Sequence, residues 1–201
     1  SAVVTGILLC MNLPVSVPLW MPVVGAFFAI VVVKQIFGGI GKNFMNPALA
    51  ARVFLFSSFS GFMSRFPAAG QKINSLAMTL DEADIVAGAT PLASLKNGSL
   101  PETNLFDSII GNTGGCIGEV SSLLLVAGGV YLLIRRVITW HIPAAYIGTV
   151  AILTYLFPRT GGVAVDFMLA EIFAGGLMLG AIFMATDYVT SPVTKNGRLL
   201  Y

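Results

Sequence analysis

The chain has 201 residues, 56% of them apolar and only 10% charged, with a net charge of +2 and a single histidine. Soluble domains carry about a quarter charged residues, so this composition excludes an ordinary soluble fold, and the small, scattered charge excludes a nucleic-acid partner. It points to an all-α integral membrane protein, a polytopic helix bundle whose 22 glycines and 10 prolines suit short, broken, closely packed helices.

The chain opens in an apolar run, residues 1–13, with no initiator methionine and too few residues to cross a bilayer, so it is expected to be a piece of a longer protein. The next run, 18–37, is predicted to span, with Pro18 and Pro22 near its start, where a missing amide donor costs least. The turn Gly38-Gly39-Ile40-Gly41-Lys42-Asn43 ends it. From Asn46-Pro47 a shorter apolar helix is predicted to residue 59; breaks opened by Asn-Pro or glycine-rich turns resemble those that line sites in membrane transporters.

Residues 61–115 form the one extended polar stretch and hold Asp81, Glu82, Asp84, Glu102 and Asp107. A loop of that length is usually functional or disordered. Further apolar segments are predicted at 117–134, 142–157 and 165–185, which makes about six within a single transmembrane domain, 1–201. The chain stops after the polar segment ending in Arg198, which reads as a second cut end.

Positive charge sets the expected orientation. Lys34 and Lys42 flank one turn, Arg135 and Arg136 close a later helix, and Lys195 and Arg198 follow the last, whereas the loop around Thr90 is net acidic. Basic turns face the cytoplasm, so the Thr90 loop and the turn around Arg159 and Asp166 are expected on the outer face. A weak internal repeat suggests two related halves: Gly25-Ala26-Phe27-Phe28-Ala29 parallels Gly180-Ala181-Ile182-Phe183-Met184-Ala185, each a small-residue segment ending in an inner turn.

The candidate chemistry is sparse. Cys10 and Cys116 lie far apart with no metal-ligand spacing, so the chain alone holds no zinc ion or four-cysteine cluster; Cys116, in a glycine-rich turn, is the one able to meet a ligand from another subunit. Thr90 follows Gly88 and Ala89, which leave room for close approach, and precedes Pro91, which holds it extended. Its spacing fits either an ordinary Thr-Pro turn or an exposed hydroxyl that an enzyme could esterify. Three carboxylates are candidates for handling an ion. Glu119 is expected to open a helix, as an ion site or as a cap. Glu171 lies about two turns into an apolar run and Asp187 closes it, where each either binds the ion or fixes helix contacts. His141 follows Trp140 as an interfacial aromatic pair. Lys42, Asn43 and Asn46 on one inner turn, and Thr190, Ser191 and Thr194 on its counterpart, either border a bound cofactor or serve as partners for a broken backbone.

Five segments in order carry a wider resemblance: Gly38-Gly39-Ile40-Gly41-Lys42-Asn43-Phe44-Met45-Asn46-Pro47-Ala48; Gly88-Ala89-Thr90-Pro91-Leu92; Ile110-Gly111-Asn112-Thr113-Gly114-Gly115-Cys116-Ile117-Gly118-Glu119; Thr139-Trp140-His141-Ile142-Pro143; and Phe183-Met184-Ala185-Thr186-Asp187-Tyr188-Val189-Thr190-Ser191-Pro192-Val193-Thr194. With them the chain resembles the D-subunit family of the Rnf complex, the ion-translocating ferredoxin:NAD oxidoreductase, and more distantly the B-subunit family of the sodium-translocating NADH:quinone reductase.

The resemblance implies that Thr90 carries FMN through a phosphoester made by a separate flavin transferase; a second, noncovalent flavin (riboflavin) between the two inner turns is the alternative to a backbone-partner role for their polar groups. It implies partners among the other membrane and peripheral subunits of the complex, including flavin and iron-sulfur subunits, and a place in the bacterial cytoplasmic (inner) membrane. Its implied role is to relay electrons on their way from reduced ferredoxin to NAD while Na+ or H+ is moved outward, with no catalytic residue or metal of its own. One departure stands out: the acceptor pattern has Ser or Thr where this chain has Ala87, although its Asp84 is present. The competing expectation is a flavin-free transporter or channel for a small solute, built on the same broken-helix scaffold.

Overall fold

The structure is a computed structural model that describes residues 1–39, 41–66, 90–101, 105–159 and 163–201. Among the described residues the regular elements are helices, joined by one isolated antiparallel bridge between Pro14 and Cys116. The chain divides into two compact units, Ser1–Gly88 with Gly115–Gly118, and Ala89–Gly114 with Glu119–Tyr201.

The first unit holds α1 (Ala2–Met11), α2 (Trp20–Phe27) running directly into a π segment (Phe28–Gln35), α3 (Pro47–Ser58) and the short α4 (Ser60–Met63). Asn46 explains where α3 begins: its side-chain oxygen accepts from Ala48 N at 3.0 Å and Leu49 N at 3.3 Å, and Pro47 follows at a position where no amide is needed. Leu9, Met21 and Leu55 are buried in this unit. Gly25 lets the helices close, since a Cβ there would lie 2.7 Å from Leu55 Cδ1 and 3.1 Å from Leu9 Cδ2. Phe28 stacks on Phe54 at 4.3 Å, and Trp20 meets Phe59 edge-on at 5.2 Å. Residues 115–118 join from far along the chain, with Ile117 N donating to Leu13 O and Gly118 N to Met11 O.

The second unit holds α5 (Pro91–Lys96), α6 (Leu105–Ile110), α7 (Ser122–Ile134), α8 (His141–Leu156), α9 (Ala164–Phe173), α10 (Leu177–Leu179) continuing as a π segment (Gly180–Met184), and α11 (Lys195–Leu200). Leu95, Phe167, Ala170 and Ala174 form a buried cluster. Gly129 lets Ile182 approach: a Cβ there would stand 2.7 Å from Ile182 Cγ2.

Three predicted spans come out shorter or broken. Residues 18–37 give a helix only over 20–35, and 117–134 becomes helical at Ser122. The run 165–185 breaks between α9 and α10, where Gly175 takes φ +74° and the axis bends by 61°. No single helix among the described residues is long and apolar enough to cross a membrane; the bent pair Ala164–Phe173 with Leu177–Met184 passes that test together. The two segments of the suspected repeat share one local geometry. Each passes from α into π winding, with Ile36 N donating to Val31 O and Ala185 N to Gly180 O, five residues back in each case.

α7 ends with Arg136 N donating to Leu133 O and Val137 N to Leu132 O, the double closure that places a left-handed residue after the helix. That position is usually glycine, yet here Arg136 occupies it at φ +55°. Arg136→Gly is therefore expected to stabilise the unit by about 0.5–1 kcal/mol, because relief of left-handed strain exceeds the extra chain entropy of glycine. A rise in the thermal midpoint would show it.

Candidate functional site

Thr90 is the N-cap of α5. Its backbone is extended (φ −70°, ψ 151°), Pro91 opens the helix, and its Oγ1 accepts from Ala93 N at 3.2 Å. The side chain is half-buried and no acceptor among the described residues takes its hydroxyl proton. An oxygen that accepts one amide and keeps a free proton suits esterification, so the residue fits a phosphoester-linked flavin. Gly88, Ala89, Ala87, Asp84, Asp81, Glu82 and Glu102 lie outside the described residues.

Glu119 does not open α7. Ser121 is the N-cap there, its hydroxyl accepting from Leu124 N at 3.5 Å, and Glu119 sits in the preceding turn. A short hydroxyl next to the first helical residue reaches the free amides with less loss of side-chain freedom than a longer carboxylate two residues earlier. Glu171 is half-buried in the last turn of α9, and Arg159 is the cation whose charge reaches it. Asp187, after the second π segment, turns its Oδ1 towards Val189 N at 3.4 Å.

Two residues beyond Glu171 the helix breaks. Ser122, 1% exposed, donates its hydroxyl to Phe173 O at 3.1 Å and so satisfies a carbonyl at the α9 end. Ser122 was invisible as a partner in the sequence, because the break it serves was not legible.

Three of the polar groups in the turns after the two π segments serve backbone. Asn43 is buried and donates to Met45 O at 3.0 Å, Asn46 caps α3, and Thr194 accepts from Gly197 N at 3.2 Å as the cap of α11. His141 begins α8 and stacks on Trp140 at 4.3 Å, and its Nδ1 is buried without a hydrogen-bond partner among the described residues.

Sequence reasoning missed a buried polar cluster in the first unit. Arg52 Nη1 donates to Asn12 Oδ1 at 2.9 Å, Arg52 Nη2 lies 3.9 Å from Cys116 Sγ, and Asn12 and Cys116 are each 1% exposed. Asn12 Nδ2 in turn donates to Leu8 O at 2.7 Å. In the same unit Lys34 is buried with its Nζ 3.5 Å from Thr5 Oγ1. The signal available was a basic residue inside each of two apolar helices, with no Asp or Glu anywhere in residues 1–66.

Residues 1–201 match the family described as NQR2, RnfD, RnfE. The whole chain aligns at 46% identity with the D subunit of the Na(+)-translocating ferredoxin:NAD(+) oxidoreductase complex of Acetobacterium woodii, covering 58% of that protein. It aligns over its full length at 40% identity with the D subunit of the proton-translocating complex of Clostridium ljungdahlii, covering 61% of it. With the B subunit of the Na(+)-translocating NADH-quinone reductase of Pseudomonas aeruginosa it shares 36% identity over 98% of the chain and 49% of the relative. The chain thus spans about six-tenths of the length of the two ferredoxin:NAD(+) oxidoreductase relatives.

Proposed function

The chain belongs to the NQR2, RnfD, RnfE family, and from that premise we propose that it is part of a membrane subunit of an electron-transport complex, coupling electron transfer from reduced ferredoxin to NAD with outward movement of Na+ or H+. The observation that carries this reading is the match over all 201 residues, with 46% identity to the D subunit of a ferredoxin:NAD(+) oxidoreductase. Its partners are the other membrane and peripheral subunits of an Rnf complex, among them flavin and iron-sulfur subunits, and its place is the bacterial inner membrane with several crossings. The chain is read as one transmembrane region, with residues 61–115 as an outer loop and two halves related by a pseudo-repeat; the common passage from α to π winding in the two repeat segments supports the last point.

Within this reading Thr90 is the attachment point for FMN, installed by a flavin transferase. Bound FMN supplies a ring that takes up and releases electrons one at a time. Thr90 contributes a reachable hydroxyl, and α5 fixes its backbone through Pro91 and the bond to Ala93 N. A second, noncovalent flavin has less support, because Asn43, Asn46 and Thr194 already hold backbone groups.

Glu171 is the best placed of the three ion-coupling candidates, since it stands beside a helix break of the kind that holds ions in transporters. Glu119 and Asp187 stay in the proposal as turn carboxylates. The test is the full-length protein in its complex, reconstituted in liposomes and driven by reduced ferredoxin and NAD. Glu171→Gln is expected to lower the number of ions moved per electron towards zero while electron transfer continues; an unchanged ratio removes Glu171 from the path. Uptake of a small solute by the subunit alone, without flavin or partners, would instead support a transporter, the reading favoured by the broken helix taken by itself.

A further inference from the structure

One end of the second unit gathers cations that the proposed function leaves unused. Arg135 and Arg136 follow α7, and both are exposed. Thr139, three residues on, accepts from Arg198 Nη1 at 3.3 Å, while Arg198 Nε donates to Pro192 O at 2.9 Å. Those two bonds tie the turn before α8 to the segment before α11, and so bring the Trp140-His141 and Ser191-Pro192 motifs to one place. Lys195 lies exposed on the same segment. Against these four cations the two turns contribute one carboxylate, Asp187, which already faces Val189 N.

The cations stand beside exposed apolar surface. Ile134, in the last turn of α7, is 74% exposed, Trp140 60% and Tyr188 69%. Val130 and Tyr131, also exposed, continue the apolar strip along α7. A purely acidic protein segment would answer the charges and leave this strip bare. An anionic phospholipid answers both, with a phosphodiester for the guanidinium groups and hydrocarbon for the strip.

Arg136 adds an independent mark. It holds a left-handed position, φ +55°, that glycine would take without strain, so a cation is kept there at a local cost.

We propose that residues 134–140 and 188–198 form a binding surface for an anionic phospholipid headgroup, with the phosphodiester held by Arg135, Arg136 and the preset guanidinium of Arg198, and the acyl chains along Val130, Tyr131 and Ile134. The inference rests on the membrane placement proposed above.

The test is native mass spectrometry of the full-length protein in detergent, titrated with cardiolipin, with phosphatidylcholine, or with inorganic phosphate. The wild type is expected to retain cardiolipin in preference to phosphatidylcholine, with no competition from inorganic phosphate at the same concentration. Arg135→Gln combined with Arg136→Gly should weaken cardiolipin retention about 30-fold, as expected for two cations at an anionic surface. Glycine suits the backbone at 136, so the loss cannot be assigned to unfolding, and Arg135→Lys with Arg136→Lys should restore most of the binding. Equal retention of the two lipids, or unaltered cardiolipin retention by the Gln/Gly variant, overturns the proposal; if the same variant in the purified complex sheds a neighbouring subunit while its lipid is unchanged, the surface belongs to a protein. Absence of either lipid from the wild type would count against the membrane placement itself.

Discussion

Thr90→Ala is expected to remove all covalently bound flavin from the full-length protein. Intact mass should fall to that of the bare polypeptide, and the fluorescent band in a denaturing gel should vanish. Alanine also removes a helix cap worth about 1 kcal/mol, because Thr90 Oγ1 accepts from Ala93 N, so this variant alone does not separate attachment from local folding. Thr90→Asn does: asparagine caps as well as threonine but offers no hydroxyl to esterify. It should keep the fold and insertion of the wild type while losing the flavin as completely as alanine does. Thr90→Ser should keep both. An asparagine variant with full flavin mass would move the attachment to another residue, and an unmodified wild type from cells that contain the transferase would end the flavin assignment. Partial occupancy in the wild type is the result to expect if the transferase reads the hydroxyl that Ala87 lacks.

Gly111→Ala should be the most damaging small substitution in the second unit. Gly111 closes α6 at φ +111°, its amide donating to Asp107 O at 2.8 Å. A Cβ at this position would lie 2.8 Å from Val120 O and 3.1 Å from the carbonyl carbon, atoms of the backbone that have no rotamer to escape into. Backbone strain and overpacking each cost about 1–3 kcal/mol, so a loss of about 3 kcal/mol is expected, with a thermal midpoint lower by about 6–12 °C for a chain of this size. Gly41→Ala is the matched control. Gly41 has φ +83° but nothing within 4 Å of its would-be Cβ, so it should show the strain alone, about 1 kcal/mol. Equal losses at the two sites would mean that the contact with Val120 carries no weight.

Some of this architecture was legible from residues alone. Asn46-Pro47 announced the start of α3 because a cap and a proline at the first helical position act locally, and the run from His141 was bounded by features equally close in sequence. Thr90-Pro91 carries the same cap signature, but the six residues of α5 are too short to show helical periodicity, so the sequence predicts only an extended segment there. The break after Phe173 was hidden for a different reason. Ala174-Gly175-Gly176 lies within continuous apolar sequence, and hydropathy does not report that Gly175 takes a positive φ. The preference of acidic residues for first turns predicts Glu119 at a helix start, but Ser121 stands closer to the free amides. The Arg52, Asn12 and Cys116 cluster joins three segments far apart in sequence, a contact that no local pattern encodes.

The pairing of residues 115–118 with Met11 and Leu13 bears on how the chain is made. Synthesis is vectorial and domains ordinarily fold as they emerge, yet the first unit includes Gly115–Gly118 while residues 89–114 belong to the second. When α3 leaves the ribosome, the first unit still lacks the segment that supplies Cys116 to Arg52 and the amides to Leu13 O and Met11 O. Until then its helices wait with those backbone carbonyls unclaimed and Arg52 without its sulfur neighbour. Closure therefore comes only after α5 and α6 have been translated, so the two units mature interleaved and residues 89–114 must be made before the first unit is complete. Any factor that modifies Thr90 meets a chain whose opening helices are still unlocked if it acts during synthesis, and a locked one if it acts afterwards.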